Sequence, residues 1–71
     1  MTYQERMRGL REDKDLTQKQ VANFLGIEQN SYCQYETGRR PMPIDYLVAL
    51  CQYYKVSADY ILGFTNTPNR R

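Results

Sequence analysis

Hydrophobic side chains recur every three or four positions along most of the chain, which is the spacing of amphipathic α-helices. Near the start, Tyr3, Met7 and Leu10 follow this spacing, with charged residues between them. The polar run at residues 12–15 then interrupts the hydrophobic positions. The pattern predicts a first helix that ends at this run.

Residues 17–26 have the features of a short second helix. Thr17 and Gln20 have the spacing of a capping box, in which each side chain binds a backbone N–H at the helix start. Gly26 is expected to end the helix, because glycine adopts positive φ readily. The predicted inward face consists of Val21, Ala22 and Leu25.

A third helix is predicted from about residue 28 to residue 37. Its hydrophobic positions are Tyr32 and Tyr35, and Gly38 is expected to end it. The face opposite these tyrosines carries amide side chains and little charge.

Two further helices are predicted in the second half of the chain. Pro43 suits the first turn of the fourth helix, and Asp45 suits its positive N-terminal end. Ser57 is expected to cap a short fifth helix that ends at Gly63. The predicted hydrophobic positions are Leu47, Leu50, Cys51 and Tyr54 in the fourth helix, and Tyr60, Ile61 and Leu62 in the fifth.

The second and third helices together indicate a helix-turn-helix. Gly26 lies at the corner between them, and the small Ala22 lies where the two helices would cross closely. A steep crossing at short distance requires a small side chain at the contact and a turn that accepts an unusual backbone angle. We therefore predict one compact, all-α domain of five helices over residues 1–65. A flexible tail, which includes Arg70 and Arg71, is predicted over residues 66–71.

Composition excludes several classes of function. The net charge of +2 permits nucleic-acid binding without arguing for it. With two cysteines and no histidine, the chain lacks the residues of a zinc site, a disulfide scaffold or a nucleophile–imidazole pair. No apolar run approaches the roughly 18 residues of a membrane span, and the first six residues are polar and lack the hydrophobic segment of a signal peptide. We expect a soluble cytoplasmic protein with reduced thiols that has no cofactor, binds no metal and is not an enzyme.

Residues 3–63 resemble the helix-turn-helix regulators of the xenobiotic-response-element and lambdoid phage repressor/Cro group. The matching positions are residues 10–11, 16–18, 21–22, 25–27, 35–41, Leu47, Leu50 and 56–63. Their combination is specific to this group, although each position alone is weak evidence for it. The resemblance implies the lambda-repressor-like fold and a third helix that lies in the major groove of DNA.

The resemblance also implies which residues contact base edges. Gln29, Asn30 and Gln34 lie on the face opposite the two tyrosines, and amides pair with the N6 and N7 edge of adenine. Cys33 lies near this face and could meet a thymine methyl group; a redox role is the weaker reading. Glu28 departs from the Ser or Thr that is usual in the family, and its carboxylate would repel nearby phosphates.

Contacts with the DNA backbone are implied for a second set of residues. Gln18 opens the second helix, where backbone N–H groups bind phosphate. Arg11 and Glu36 match a pair that joins the first and third helices in the family, and Arg11 could also reach a phosphate. The implied phosphate contacts are Gln18, Lys19, Ser31, Arg11, Arg39 and Arg40.

These assignments predict a sequence-specific transcriptional regulator, more specifically a repressor, that binds a roughly palindromic operator as a homodimer. In relatives the dimer surface often involves residues equivalent to 53–64, and Phe24 and Tyr53 are further candidates. Most of the tyrosines have the spacing of core residues rather than of a single-strand stacking surface. The alternative is a protein-interaction module or antitoxin-type adaptor that uses the same fold.

Overall fold

The computed structural model describes residues 2–67. These residues form five helices, as predicted, and the all-α fold class is confirmed. The predicted tail is described only as far as residue 67, and Arg70 and Arg71 lie outside the described residues. The helices are α1 (Tyr3–Asp13), α2 (Gln18–Leu25), α3 (Gln29–Glu36), α4 (Ile44–Tyr54) and α5 (Ala58–Leu62).

Side-chain caps begin α2 and α5 as predicted. The Gln20 N–H donates to Thr17 Oγ1 at 3.1 Å, and the Thr17 N–H donates to Gln20 Oε1 at 2.8 Å. The Tyr60 N–H donates to Ser57 Oγ at 3.1 Å. These bonds satisfy N–H groups that have no partner within the helix, and so they determine where each helix begins.

α1 begins with a second capping box that the hydrophobic pattern did not predict. The Glu5 N–H donates to Thr2 Oγ1 at 3.2 Å, and the Thr2 N–H donates to Glu5 Oε1 at 3.1 Å. Hydrogen bonds from the Thr2 backbone and hydroxyl hold the pKa of the Glu5 carboxyl below its usual value. The signal was present in the sequence as a threonine followed three residues later by a glutamate.

Glycine was predicted to end α2, α3 and α5. In α3 the C-cap is Thr37, and Gly38 follows it with φ of 83°. Gly26 and Gly63 have φ of 73° and 85° and end α2 and α5.

α4 ends instead at Lys55, which has φ of 58° although it is not glycine. The next residue, Val56, is buried, and its N–H donates to the Cys51 carbonyl at 3.0 Å. Burial of Val56 and this bond stabilise a left-handed turn that local sequence does not favour.

Pro43 immediately precedes α4 instead of lying in its first turn, where it was predicted. The predicted and observed positions differ by one residue. The fixed φ of proline suits the extended residue before a helix as well as the first turn. Asp45 lies in the first turn as predicted.

One hydrophobic core joins all five helices. The predicted inward positions of α1, α2 and α4 are buried or packed against it, and Ala22 has no exposed surface. In α5 only Ile61 is buried, and Leu62 is 39% exposed. The buried hydrophobic residues of this core are Met7, Leu10, Val21, Ala22, Tyr32, Leu47, Leu50, Cys51, Tyr54, Val56 and Ile61.

α2 and α3 pack against each other, and α1 joins this pair to the other helices. α2 packs mainly against α3, α1 contacts both α3 and α5, and α4 contacts α5. Arg6 of α1 lies over the Tyr60 ring at 4.2 Å and donates to Asn66 Oδ1 at 3.1 Å. Contacts with α1 therefore hold both α3 and the segment after α5.

Every helix within residues 2–67 is too short or too polar to span a lipid bilayer. The same residues contain no group of three or more histidine, cysteine or acidic side chains close enough to hold a metal ion.

Candidate nucleic-acid interface

The outward face of α3 carries the residues that were predicted to contact bases. Tyr32 is fully buried and Tyr35 is 7% exposed, so these two side chains fix which face of α3 points inward. Asn30 lies on the opposite face and is exposed, and Gln29, which precedes Tyr32 by three positions and so lies to one side of it, is also exposed. Gln34 follows Asn30 by one helical turn and is half-buried. The inward position of the two tyrosines is confirmed, Gln29 lies beside Tyr32 instead of opposite it, and the base contacts themselves stay a prediction.

The other residues of α3 border this face. Cys33 and Ser31 are half-buried, so each exposes part of its side chain. Glu28 precedes the helix, is exposed, and makes no capping hydrogen bond with its side chain. Its carboxylate is therefore a negative charge at the start of α3, as the sequence indicated.

A buried ion pair joins α3 to α1. Arg11 Nε donates to Glu36 Oε2 at 3.0 Å, and its Nη2 donates to Glu36 Oε1 at 3.0 Å. The Glu36 side chain is 3% exposed and that of Arg11 is 13% exposed. The pair implied by the family resemblance is confirmed, and its bidentate geometry restrains α3 relative to α1.

The surroundings of this pair determine its charge state. Burial raises the pKa of the Glu36 carboxyl, but hydrogen bonds from Arg11 and Gln18 outweigh burial and hold the pKa below its usual value. The hydrogen bond to Glu36 raises the pKa of Arg11. Both side chains are therefore charged at neutral pH, and each compensates the other within the domain.

Two predicted phosphate contacts already take part in this network. Gln18 Nε2 donates to Glu36 Oε1 at 3.3 Å, and Arg11 Nη1 donates to the Leu16 carbonyl at 2.8 Å. Most N–H groups of the Arg11 guanidinium are thus engaged inside the domain. The phosphate contacts of Gln18 and Arg11 stay predictions, and they would use the N–H groups that are not engaged inside the domain.

Two tyrosine hydroxyls lie buried near the ion pair and were not singled out from the sequence. Burial raises the pKa of Tyr32 and Tyr54 well above the usual value, and the charge of Glu36 adds to both shifts. Neither hydroxyl makes a hydrogen bond of ordinary geometry with the described residues. The helical spacing indicated that the rings are buried, but it gave no sign of their closeness to Glu36.

The turn after α3 presents the predicted arginine pair. Arg39 and Arg40 are exposed. The Arg40 N–H donates to the Gln34 carbonyl at 3.2 Å, and its guanidinium lies 5.8 Å from the centre of the Tyr35 ring. The backbone of this turn is therefore held to the end of α3, next to the face that carries the amides. Lys19 is likewise exposed, in the first turn of α2.

This turn also rests on α1. The Met42 N–H donates to the Tyr3 hydroxyl at 3.2 Å. Gly38 has φ of 83°, and a Cβ added there would lie 3.5 Å from Gln4 Nε2. A Cβ at that distance would make only an ordinary van der Waals contact with Gln4, so it is the positive φ that favours glycine at this position.

Residues 5–61 match the family model described as a helix-turn-helix domain. The chain belongs to this family. The predicted resemblance to the xenobiotic-response-element and phage repressor/Cro group is confirmed by this match together with the relatives described next.

Three relatives are similar over most of this chain. The HTH-type transcriptional regulator YobD of Bacillus subtilis is 45% identical over 67 residues, which cover 94% of this chain and 60% of YobD. The cryptic phage CTXphi transcriptional repressor RstR of Vibrio cholerae is 33% identical over 65 residues, 92% of this chain and 59% of RstR. The antitoxin PezA of Streptococcus pneumoniae is 35% identical over 57 residues, 80% of this chain and 36% of PezA. The chain thus spans only part of the length of these relatives.

Proposed function

We propose that this chain is a sequence-specific regulator of transcription, more specifically a repressor, that inserts α3 into the major groove of double-stranded DNA. The observation that carries the proposal is the outward face of α3, where Gln29 and Asn30 are exposed and Gln34 follows one turn later. Amides both donate and accept, as the adenine edge requires. The helix-turn-helix family and the repressor RstR support this function.

Selection of bound sequences from a random pool of duplex DNA tests the proposal. We expect one enriched motif whose two halves are related by two-fold symmetry, with half-sites about 34 Å apart. Enrichment of no motif would contradict sequence-specific binding. A single unpaired half-site would contradict the homodimer while leaving specific binding in place.

A homodimer is proposed because one α3 reads only a few base pairs. Exposed hydrophobic side chains support an association surface. The Phe24 and Tyr53 rings stack with centroids 4.1 Å apart, and Phe24 is 46% exposed. Leu62 and Phe64 are 39% and 78% exposed. These four residues are the candidates for the dimer contact.

Replacing Gln29 with alanine is expected to cost about 1–3 kcal/mol of binding free energy and to relax the preference at one base pair. The reason is the loss of a bidentate contact with a base edge. Competition with single-base variants of the selected operator measures this preference.

Gln52→Ala is the matched control for Gln29→Ala, because Gln52 is an exposed glutamine on α4. It should leave both affinity and base preference unchanged. An equal loss of affinity for every DNA sequence in Gln29→Ala would show that Gln29 does not read a base.

Replacing Arg39 with alanine is expected to weaken binding to all DNA sequences alike. Each phosphate contact contributes about 0.9 to the slope of log affinity against log salt concentration, so the slope should fall by about this amount. Titrations at several salt concentrations measure it. Lys14→Ala, which removes an exposed cation at the end of α1 and outside residues 53–64, is the control. An unchanged slope in Arg39→Ala would exclude Arg39 from the backbone contacts.

An adaptor or antitoxin role is the second candidate, and the similarity to PezA favours it. In that case the exposed face of α3 would bind a protein. Binding to DNA should weaken steeply with salt, whereas a partner protein that competes with DNA for Gln29 and Asn30 would support the adaptor. In either role we propose that the chain acts in the cytoplasm without a cofactor and not as an enzyme.

A further inference from the structure

A solvent-open cleft lies between the first part of α1, the start of α2 and the end of α3. Its volume is about 640 Å³. Arg8 and Gln4 of α1 line one side, and Gln18, Thr37 and Gly38 line the other. None of the functions assigned above uses Arg8 or Gln4.

The charges in the cleft are unequally available to a ligand. Glu36 is bound by two N–H groups of Arg11 and by Gln18, so its charge is compensated within the protein. Glu5 Oε1 accepts hydrogen bonds from the Thr2 backbone N–H and from the Thr2 hydroxyl, both at 3.1 Å.

Arg8, in contrast, has a long and weak partner. Its Nε lies 3.4 Å from Glu12 Oε2, and the Arg8 side chain is 64% exposed. Exposed pairs of this kind contribute little free energy, so the guanidinium can leave Glu12 for a stronger anion.

The cleft is continuous with the predicted contacts to the DNA backbone. Gln18 belongs both to the cleft and to the N-terminus of α2. On the opposite border, Gly38 directly precedes Arg39 and Arg40. An anion in the cleft would therefore lie beside a DNA strand that contacts these residues.

We propose that this cleft binds a phosphate of the DNA backbone, with the Arg8 guanidinium as its cation and the Gln4 amide as a second donor. The fork of N–H groups on arginine matches the oxygens of a phosphate. This contact rests on the proposed DNA-binding function and extends the bound region from α3 to α1. It adds affinity for every DNA sequence and no base preference.

Arg8→Ala tests this contact on the selected operator and on an unrelated duplex. We expect a loss of roughly fivefold in affinity for both DNAs at physiological salt, and a salt slope reduced by about 0.9. Ethylation interference should lose its effect at one phosphate beyond those assigned to Arg39. Arg8→Lys should keep most of the slope, because it keeps the charge.

Two matched variants on α1 sharpen the test. Lys14→Ala removes an exposed cation at the other end of α1 and should leave the slope unchanged. Glu5→Gln keeps a residue suited to the capping box and removes a negative charge from the cleft, so it should tighten DNA binding. Equal thermal unfolding of Arg8→Ala and the parent chain would show that the fold is kept.

The results separate this contact from the proposed function. An unchanged slope and interference pattern in Arg8→Ala, in a protein that still responds to Arg39→Ala, would overturn the contact alone. Arg8-dependent binding of inorganic phosphate with an unchanged DNA slope would mean that the cleft takes a free anion, which also overturns it. If the parent chain bound no duplex, the proposed function and this contact would fall together.

Discussion

Replacing Glu36 with glutamine is expected to lower the free energy of unfolding by about 3 kcal/mol, because it leaves Arg11 charged and poorly solvated without its counter-ion. The two side chains are 3% and 13% exposed, so water replaces little of the lost interaction. Since the pair also restrains α3, affinity should fall for all DNA sequences. Urea unfolding and DNA titration measure the two effects.

The effect of Glu36→Gln should depend on pH in a defined direction. The pKa of Glu36 is lowered from 4.5 in the folded chain. The stability that comes from this shift is fully present above pH 4.5 and is lost as the pH falls through the folded-state value. The difference in stability between the parent chain and Glu36→Gln should therefore shrink when unfolding is repeated at pH values well below 4.5.

Glu12→Gln is the control for Glu36→Gln, because it breaks an exposed pair with Arg8. Exposed pairs contribute about 0–1 kcal/mol, so this change should be small at every pH. Similar losses in Glu12→Gln and Glu36→Gln at neutral pH would contradict a stabilising role for the buried pair.

Replacing Leu50 with alanine is expected to lower the free energy of unfolding by about 2–5 kcal/mol. Leu50 has no exposed surface and lies in the core that joins the helices. A domain of 71 residues has a total stability of roughly 4–11 kcal/mol at the usual value per residue. The variant should therefore lose a large part of its stability in urea unfolding, and its DNA binding should fail on moderate warming.

Val48→Ala provides the comparison on the same helix. Val48 is 48% exposed, and surface substitutions usually change stability by less than about 0.5 kcal/mol. Equal losses for Leu50→Ala and Val48→Ala would mean that α4 does not pack by the face described above.

The helices were predictable because their boundaries depend on local features. Thr17, Gln20 and Ser57 cap helices through bonds to residues three positions away. Gly26 and Gly63 end helices because of their own backbone angles. Lys55, in contrast, is not glycine, and it adopts its left-handed angle where the neighbouring Val56 is buried in the core.

The polar partners at the candidate site were less predictable. The Arg11–Glu36 pair came from a family resemblance and not from spacing. The bond from Gln18 to Glu36 was not predicted at all, because these residues are 18 positions apart and meet only when α2 packs against α3. The stack of Phe24 on Tyr53 has the same cause, since the rings come from different helices.

The sequence by itself determined the five helices, the inward face of each long helix and the amides on the outward face of α3. Periodicity and capping act over a few residues, and these features follow from them. Only the tertiary structure decided which donors of Arg11 and Gln18 are already engaged, and that Arg8 and Gln4 line a cleft beside Gly38. The reason is that a hydrogen bond or cleft between helices depends on how they pack, which local spacing does not encode.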